Sequence, residues 1–121
     1  MTTALVIDDS RTAADLLVMV LKVLDIQARP AYGPSPALAL LKTEKPDVIF
    51  VDINMPGLSG FEILSFITRE PHLKLVPVFV VTSDDQPETC KHALDSGARA
   101  VLIKPITMET IESALQKEKV I

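Results

Sequence analysis

Four short apolar runs each end in residues that can do chemistry. Residues 4–7 lead into Asp8-Asp9, 48–51 into Asp52 with Asn54 two places on, 78–81 into Thr82-Ser83, and 101–103 into Lys104-Pro105. Three carboxylates gathered at neighbouring run ends repel one another, and unit charges ~4 Å apart cost about 4 kcal/mol at an effective dielectric near 20. A hard divalent cation offsets that repulsion. Oxygen-only ligation with room for water suits Mg²⁺, or Mn²⁺, better than zinc or copper. Lys104 brings a second positive charge and Thr82 a hydroxyl donor. An anion set between metal, ammonium and hydroxyl is held on three sides, as phosphoryl transfer requires, because its transition state needs positioning and charge neutralisation. Polar residues also begin wherever strands stop, so no single one of these positions carries the reading alone. His72 and His92 lie away from the acids and read as surface histidines.

The elements that must position these groups follow from the pattern of apolar residues. The four runs are continuous and rich in β-branched residues, as strands covered on both faces are. Between them the spacing predicts helices over about 11–25, 36–44, 60–69, 87–96 and 108–119, the first capped by Ser10 with Leu16, Leu17, Val20, Leu21 and Leu24 on one arc. Proline and glycine punctuate the boundaries. Residues 26–32 give the faintest strand signal, since Pro30 suits only an edge. Five successive βα units demand a parallel sheet with helices on both faces and right-handed crossovers. Ligands of such sheets bind beyond the carboxyl ends of the strands, where the chemistry-bearing residues sit.

Composition narrows the function classes. The chain has 121 residues, 48% of them hydrophobic, enough for one domain with a core that needs no disulfide or structural metal. Its one cysteine, Cys90, has no partner for a bridge and reads as an inert small side chain; with no signal-peptide pattern at the N-terminus, this points to the cytoplasm. The apolar runs fall far short of the roughly 20 residues a bilayer needs. A net charge of −4 disfavours direct binding to nucleic acid.

The set Asp8-Asp9, Asp52-Ile53-Asn54-Met55-Pro56-Gly57, Thr82-Ser83 and Lys104-Pro105, in that order over the whole chain, closely resembles the receiver domain of two-component response regulators. The resemblance implies a flavodoxin-like (βα)5 fold with strand order 2-1-3-4-5. It also implies that Asp52 is the phosphoacceptor, a carboxylate nucleophile that attacks a phosphohistidine. Asp9 would bind Mg²⁺ directly, Asp8 largely through water, Asp52 as a further ligand and Asn54 through its backbone carbonyl. Lys104 and Thr82 would hold phosphoryl oxygens, small Ser83 would leave the group accessible, and Pro105 would follow a cis peptide, a form far more accessible before proline than elsewhere. Asn54 and Asp84 fall at the positions that tune phosphoryl loss in this family. The chain departs from the pattern at Val101 and Ile106, where aromatic residues are frequent, which puts the usual aromatic readout in doubt.

The family-implied partner is a histidine kinase or histidine phosphotransfer protein, with a downstream protein as target and the chain a monomer or weak dimer. Val18, Met19 and Val23 fall outside the arc of Leu16, Val20 and Leu24 and are expected to form the docking surface on the first helix. The region of the fourth helix, fifth strand and fifth helix carries mixed charge and no clear dimer pattern. Two other classes compete. A non-phosphorylated interaction module would not need the intact acidic set, and an aspartate phosphohydrolase needs Asp-x-Asp at the first strand end, which the adjacent Asp8-Asp9 do not provide. The chain ends with its fifth helix, so residues 1–121 are expected to form a receiver without an output domain.

Overall fold

Alternate residues of the central strands go to opposite faces of one sheet, and that alternation organises the whole molecule. The computed structural model describes residues 1–121. In chain order the elements are β1 (Thr3–Ile7), α1 (Arg11–Val23), β2 (Gln27–Ala31), α2 (Pro34–Leu41), β3 (Val48–Asp52), α3 (Gly60–Arg69), β4 (Val78–Thr82), α4 (Pro87–Asp95), β5 (Ala100–Ile103) and α5 (Met108–Lys117). All five strands are parallel and ordered β2-β1-β3-β4-β5. This is the flavodoxin-like arrangement that the sequence led us to expect.

Leu5, Ile7, Ile49, Val51, Val78 and Val80 join a core with α2, α3 and α4. Ala4, Val6, Val48, Phe50, Phe79 and Val81 point the other way into a second core closed by Ala14, Leu17 and Leu21 of α1 and Ile111 and Leu115 of α5. Every residue of β3 and β4 is buried, which is why both read as unbroken apolar runs. β2 is a full strand of five residues at the sheet edge. Pro30 is accommodated there because only β1 flanks it.

Four expectations need correction. α2 begins at Pro34 and not 36, since proline is well suited to the first turn, where its missing N–H loses no bond. The inward arc of α1 is Ala14, Leu17 and Leu21, whereas Leu16 is 59% exposed; Val18, expected on the surface, is half-buried against the second core. His72 is also half-buried, its Nε2 lying 2.9 Å from the carbonyl of Leu41. His92 is exposed as expected and stacks on Phe61 with ring centroids 4.1 Å apart.

Candidate functional site

Val6, Phe50 and Leu102 all belong to the core beneath α1 and α5. Two residues beyond each, with side chains returned to the same face by the strand period, stand Asp8, Asp52 and Lys104. The parity that builds the core therefore delivers two acids and one amine to a single spot at the carboxyl edge. Thr82 follows Val80 by two and approaches from the opposite face.

The Lys104 ammonium lies 3.2 Å from Asp8 Oδ2 and 3.5 Å from Asp52 Oδ2. Asp8 and Asp52 are buried, while Asp9 is exposed at the rim. Carboxylate oxygens of Asp8, Asp9 and Asp52 fall within 4.8 Å of one another, a hard, all-oxygen donor set with an open outer side. One ammonium against three carboxylates leaves the cluster short of positive charge, so the residues present fit a divalent cation.

Local turns hold the acids in place. Asp8 Oδ1 accepts from the Ser10 amide at 2.9 Å, and Ser10 in turn caps α1 by accepting from the Ala13 amide. Asp52 Oδ1 accepts from the Asn54 amide at 3.0 Å. The loop after β3 then returns on itself, and Gly60 packs so tightly that a Cβ there would lie 2.4 Å from the Asp52 carbonyl oxygen. Gly57 in the same loop has φ of +84°, a backbone region that glycine enters without penalty.

Burial pushes the Asp52 carboxyl above its ordinary value, helped by the neighbouring charge of Asp8; the Asn54 amide and Lys104 offset this only in part. Burial alone would lower Lys104, but the Asp52 and Asp8 carboxylates more than compensate and hold its ammonium above the ordinary range. Lys104 is firmly cationic, and burial works against the charge on Asp52.

Thr82 is fully buried, and its Oγ1 accepts from Asn54 Nδ2 at 3.1 Å and from the Asp84 amide at 3.0 Å. Ser83 is exposed beside it. Asp84 turns outward to receive the Gln86 amide and the Thr89 hydroxyl, and those bonds hold its carboxyl below the ordinary value. The peptide before Pro105 is cis. Val101 does not reach the polar cluster; it packs against the core beneath α4. Val18 and Met19 lie along α1, away from the acids, and Met19 is 63% exposed.

Two features escaped the sequence reading. Arg11 lies over the ring of Tyr32, 4.2 Å from its centroid, and the Tyr32 hydroxyl donates to Asp15 at 2.6 Å, a bond that raises the phenol's pKa. The single tyrosine of the chain, placed just past an edge strand, was the available signal. The other is a cavity of about 570 Å³ between α1 and α5, lined by Leu17, Val20, Phe50 and Ile106 and reaching Asp52 and Lys104 at one end.

Residues 4–116 match the family model described as the response regulator receiver domain. The chain belongs to that family. The receiver is 36% identical over 107 residues to Protein PilH of Pseudomonas aeruginosa, covering 88% of each chain. It is 30% identical to the chemotaxis protein CheY-3 of Vibrio cholerae, covering 93% of this chain and 88% of that protein. The solved structure of Vibrio cholerae CheY4 superposes on this receiver with a TM-score of 0.90 at 29% identity, covering 97% of this chain and 98% of that one. No helix of the receiver is long and apolar enough to cross a membrane.

Proposed function

We propose that this receiver accepts a phosphoryl group on Asp52 from a phosphohistidine donor and acts as a switch or relay in two-component signalling. The observation that carries the reading is the Lys104 ammonium set between Asp8 and Asp52, with three acids within 4.8 Å. Asp8, Asp9, Asp52 and the backbone carbonyl of Asn54 would hold Mg²⁺ or Mn²⁺, which when bound supplies positive charge for the phosphoryl oxygens.

An Asp52 carboxylate oxygen attacks phosphorus, the P–N bond to the donor imidazole breaks, and its electron pair leaves with the ring. Lys104 neutralises one phosphoryl oxygen and the Thr82 hydroxyl donates to another. Ser83, small and exposed, leaves the new acyl phosphate open to water. Asn54 and Asp84 flank the pocket and set how fast the group is lost. With Val101 in place of an aromatic ring, the response passes to α4 through the loop after β4, where Asp84 holds Thr89. No external metabolite is consumed.

The donor, a histidine kinase or histidine phosphotransfer protein, docks on α1. The exposed apolar row there is Leu16, Met19 and Val23, spaced three and four apart, while Val18 is turned partly into the core. The receiver works in the cytoplasm as a monomer or weak dimer, signals to a downstream protein, and engages neither nucleic acid nor membrane. The test is transfer from a radiolabelled phosphohistidine protein in the presence of Mg²⁺: label appears on the native chain and not on Asp52→Asn. Label retained by Asp52→Asn would refute the assignment.

A further inference from the structure

The cavity between α1 and α5 has a polar end and apolar walls. Asp52 and Lys104 stand at the polar end, with Ser83 beside them. Ala13 and Leu16 of α1 line the adjoining mouth on one side, and Pro105 and Ile106 of the loop after β5 line it on the other. Deeper in, Leu17, Val20 and Phe50 offer hydrocarbon only. At about 570 Å³ the space falls in the range of small-molecule sites, which combine a mostly apolar lining with a few convergent polar groups. Part of that room comes from Ile106, a half-buried aliphatic side chain where receivers frequently carry an aromatic ring.

We infer that the cavity is an acyl-chain site, and that the receiver takes phosphoryl groups from small acyl phosphates with an apolar chain in preference to acetyl phosphate. This rests on Asp52 being the phosphoacceptor and adds the class of small-molecule donor. An Asp52 carboxylate oxygen bonds to phosphorus, the P–O bond to the acyl oxygen breaks, and the electron pair leaves with the released carboxylate. In-line displacement puts the leaving oxygen on the far side of phosphorus from Asp52. That side is the mouth, because Ala13 lies in the first turn of α1 and Pro105 directly follows Lys104, both beyond the strand ends. A chain bent at the bridging oxygen enters between Leu16 and Ile106 and runs toward Val20. Leu16 and Val20 are one turn apart, about 6 Å along the helix, a span of about four to six carbons. The methyl of acetyl phosphate stops at the mouth.

The test compares acetyl, butyryl and hexanoyl phosphate as donors with Mg²⁺ present. Their leaving carboxylates have nearly equal basicity, so only burial of the chain differs. Each buried methylene is worth about fourfold in affinity, so butyryl phosphate should react with a second-order rate constant about tenfold above that of acetyl phosphate. The gain should appear in KM with the saturated rate unchanged, as expected of binding shared by ground and transition states. Ile106→Phe fills the mouth and Val20→Phe the deep end. Each should cut the gain to less than about threefold and leave the rate with acetyl phosphate within about twofold. A direct readout uses 2-oxopentylphosphonate, an unreactive butyryl analogue with CH₂ in place of the bridging oxygen. It should shift the methyl resonances of Leu17 and Val20, whereas acetonylphosphonate should not. Equal rate constants for the three donors, a butyryl gain kept in full by both filled variants, or methyls unmoved by the analogue overturns the inference while leaving Asp52 as acceptor. Uptake from a phosphohistidine protein but from no acyl phosphate does the same. A native chain that takes up phosphoryl from no donor removes both.

Discussion

Lys104 Nζ stands 3.5 Å from Asp52 Oδ2, across the sheet from a strand that is not its neighbour. β5 pairs only with β4, so the amine reaches past that strand to meet the acid at the end of β3. The contact exists because both side chains leave their strands on the face beneath α1 and α5, and because Asp8 on β1 shares it.

Burial raises the Asp52 carboxyl above its ordinary value. A carboxyl whose pKa is higher in the folded chain than in the unfolded one favours folding in acid, and that advantage is lost as pH rises through the folded value. At neutral pH the ionised group therefore works against the fold. Asp52→Asn should raise the thermal unfolding midpoint of the metal-free protein at pH 7, with the gain vanishing below the unfolded carboxyl pKa. Saturating Mg²⁺ should stabilise the native protein more than the variant. A variant less stable than native protein in chelator at pH 7 would contradict this.

The titration itself can be followed. Carboxyl ¹³C shifts of the metal-free protein should place the Asp52 midpoint above the ordinary aspartate value of about 3.9. Lys104→Met removes a charge that favours the carboxylate, so the midpoint should climb further. An Asp52 midpoint at or below the ordinary value would show the acid to be comfortably paired.

Gly60 is the point where the loop after β3 is pressed against the strand end. A Cβ there would meet the Asp52 carbonyl oxygen at 2.4 Å and Ile53 Cα at 2.5 Å, both backbone atoms that cannot swing aside. Gly60→Ala should destabilise by about 1–3 kcal/mol, the range for overpacking, and slow phosphorylation as Asp52 is displaced. Ser59→Ala next to it removes a side chain that caps nothing, and its effect in urea unfolding should stay within about 0.5 kcal/mol.

The exposed row on α1 should separate docking from chemistry. Met19→Glu or Val23→Glu should slow transfer from the phosphohistidine donor about tenfold, equivalent to ~1.4 kcal/mol of docking energy, and leave the rate with acetyl phosphate unchanged. Val18→Glu should behave differently and lower stability, because Val18 packs against the core. Equal slowing with both donors would place the row outside the interface.

Much of this was legible in the chain because fully buried parallel strands are uninterrupted apolar runs, and their ends mark the site. Asp8, Asp9, Asp52, Thr82 and Lys104 could be singled out on those grounds; the three acids and the lysine lie together, while Thr82 meets Asn54 and Asp84 from the other face. The phase of α1 could not be read. Leu16, Leu17, Val20 and Leu21 offer apolar residues on adjoining arcs, so periodicity does not say whether Leu16 or Leu17 turns inward, and only the sheet beneath decides for Leu17. Proline marks a boundary and a first helical residue alike, and Pro34 opens α2 two residues ahead of the expected start. The Asn54–Thr82 bond, 28 residues apart in sequence, leaves no local trace at all.

Intact-mass spectrometry of the chain incubated with acetyl phosphate tests the central claim most directly. The native protein should gain the mass of one phosphoryl group when Mg²⁺ is present and none when it is chelated, and Asp52→Asn should gain none in either condition. A native chain that gains no mass with Mg²⁺, or an Asp52→Asn chain that gains the same mass, would contradict the account.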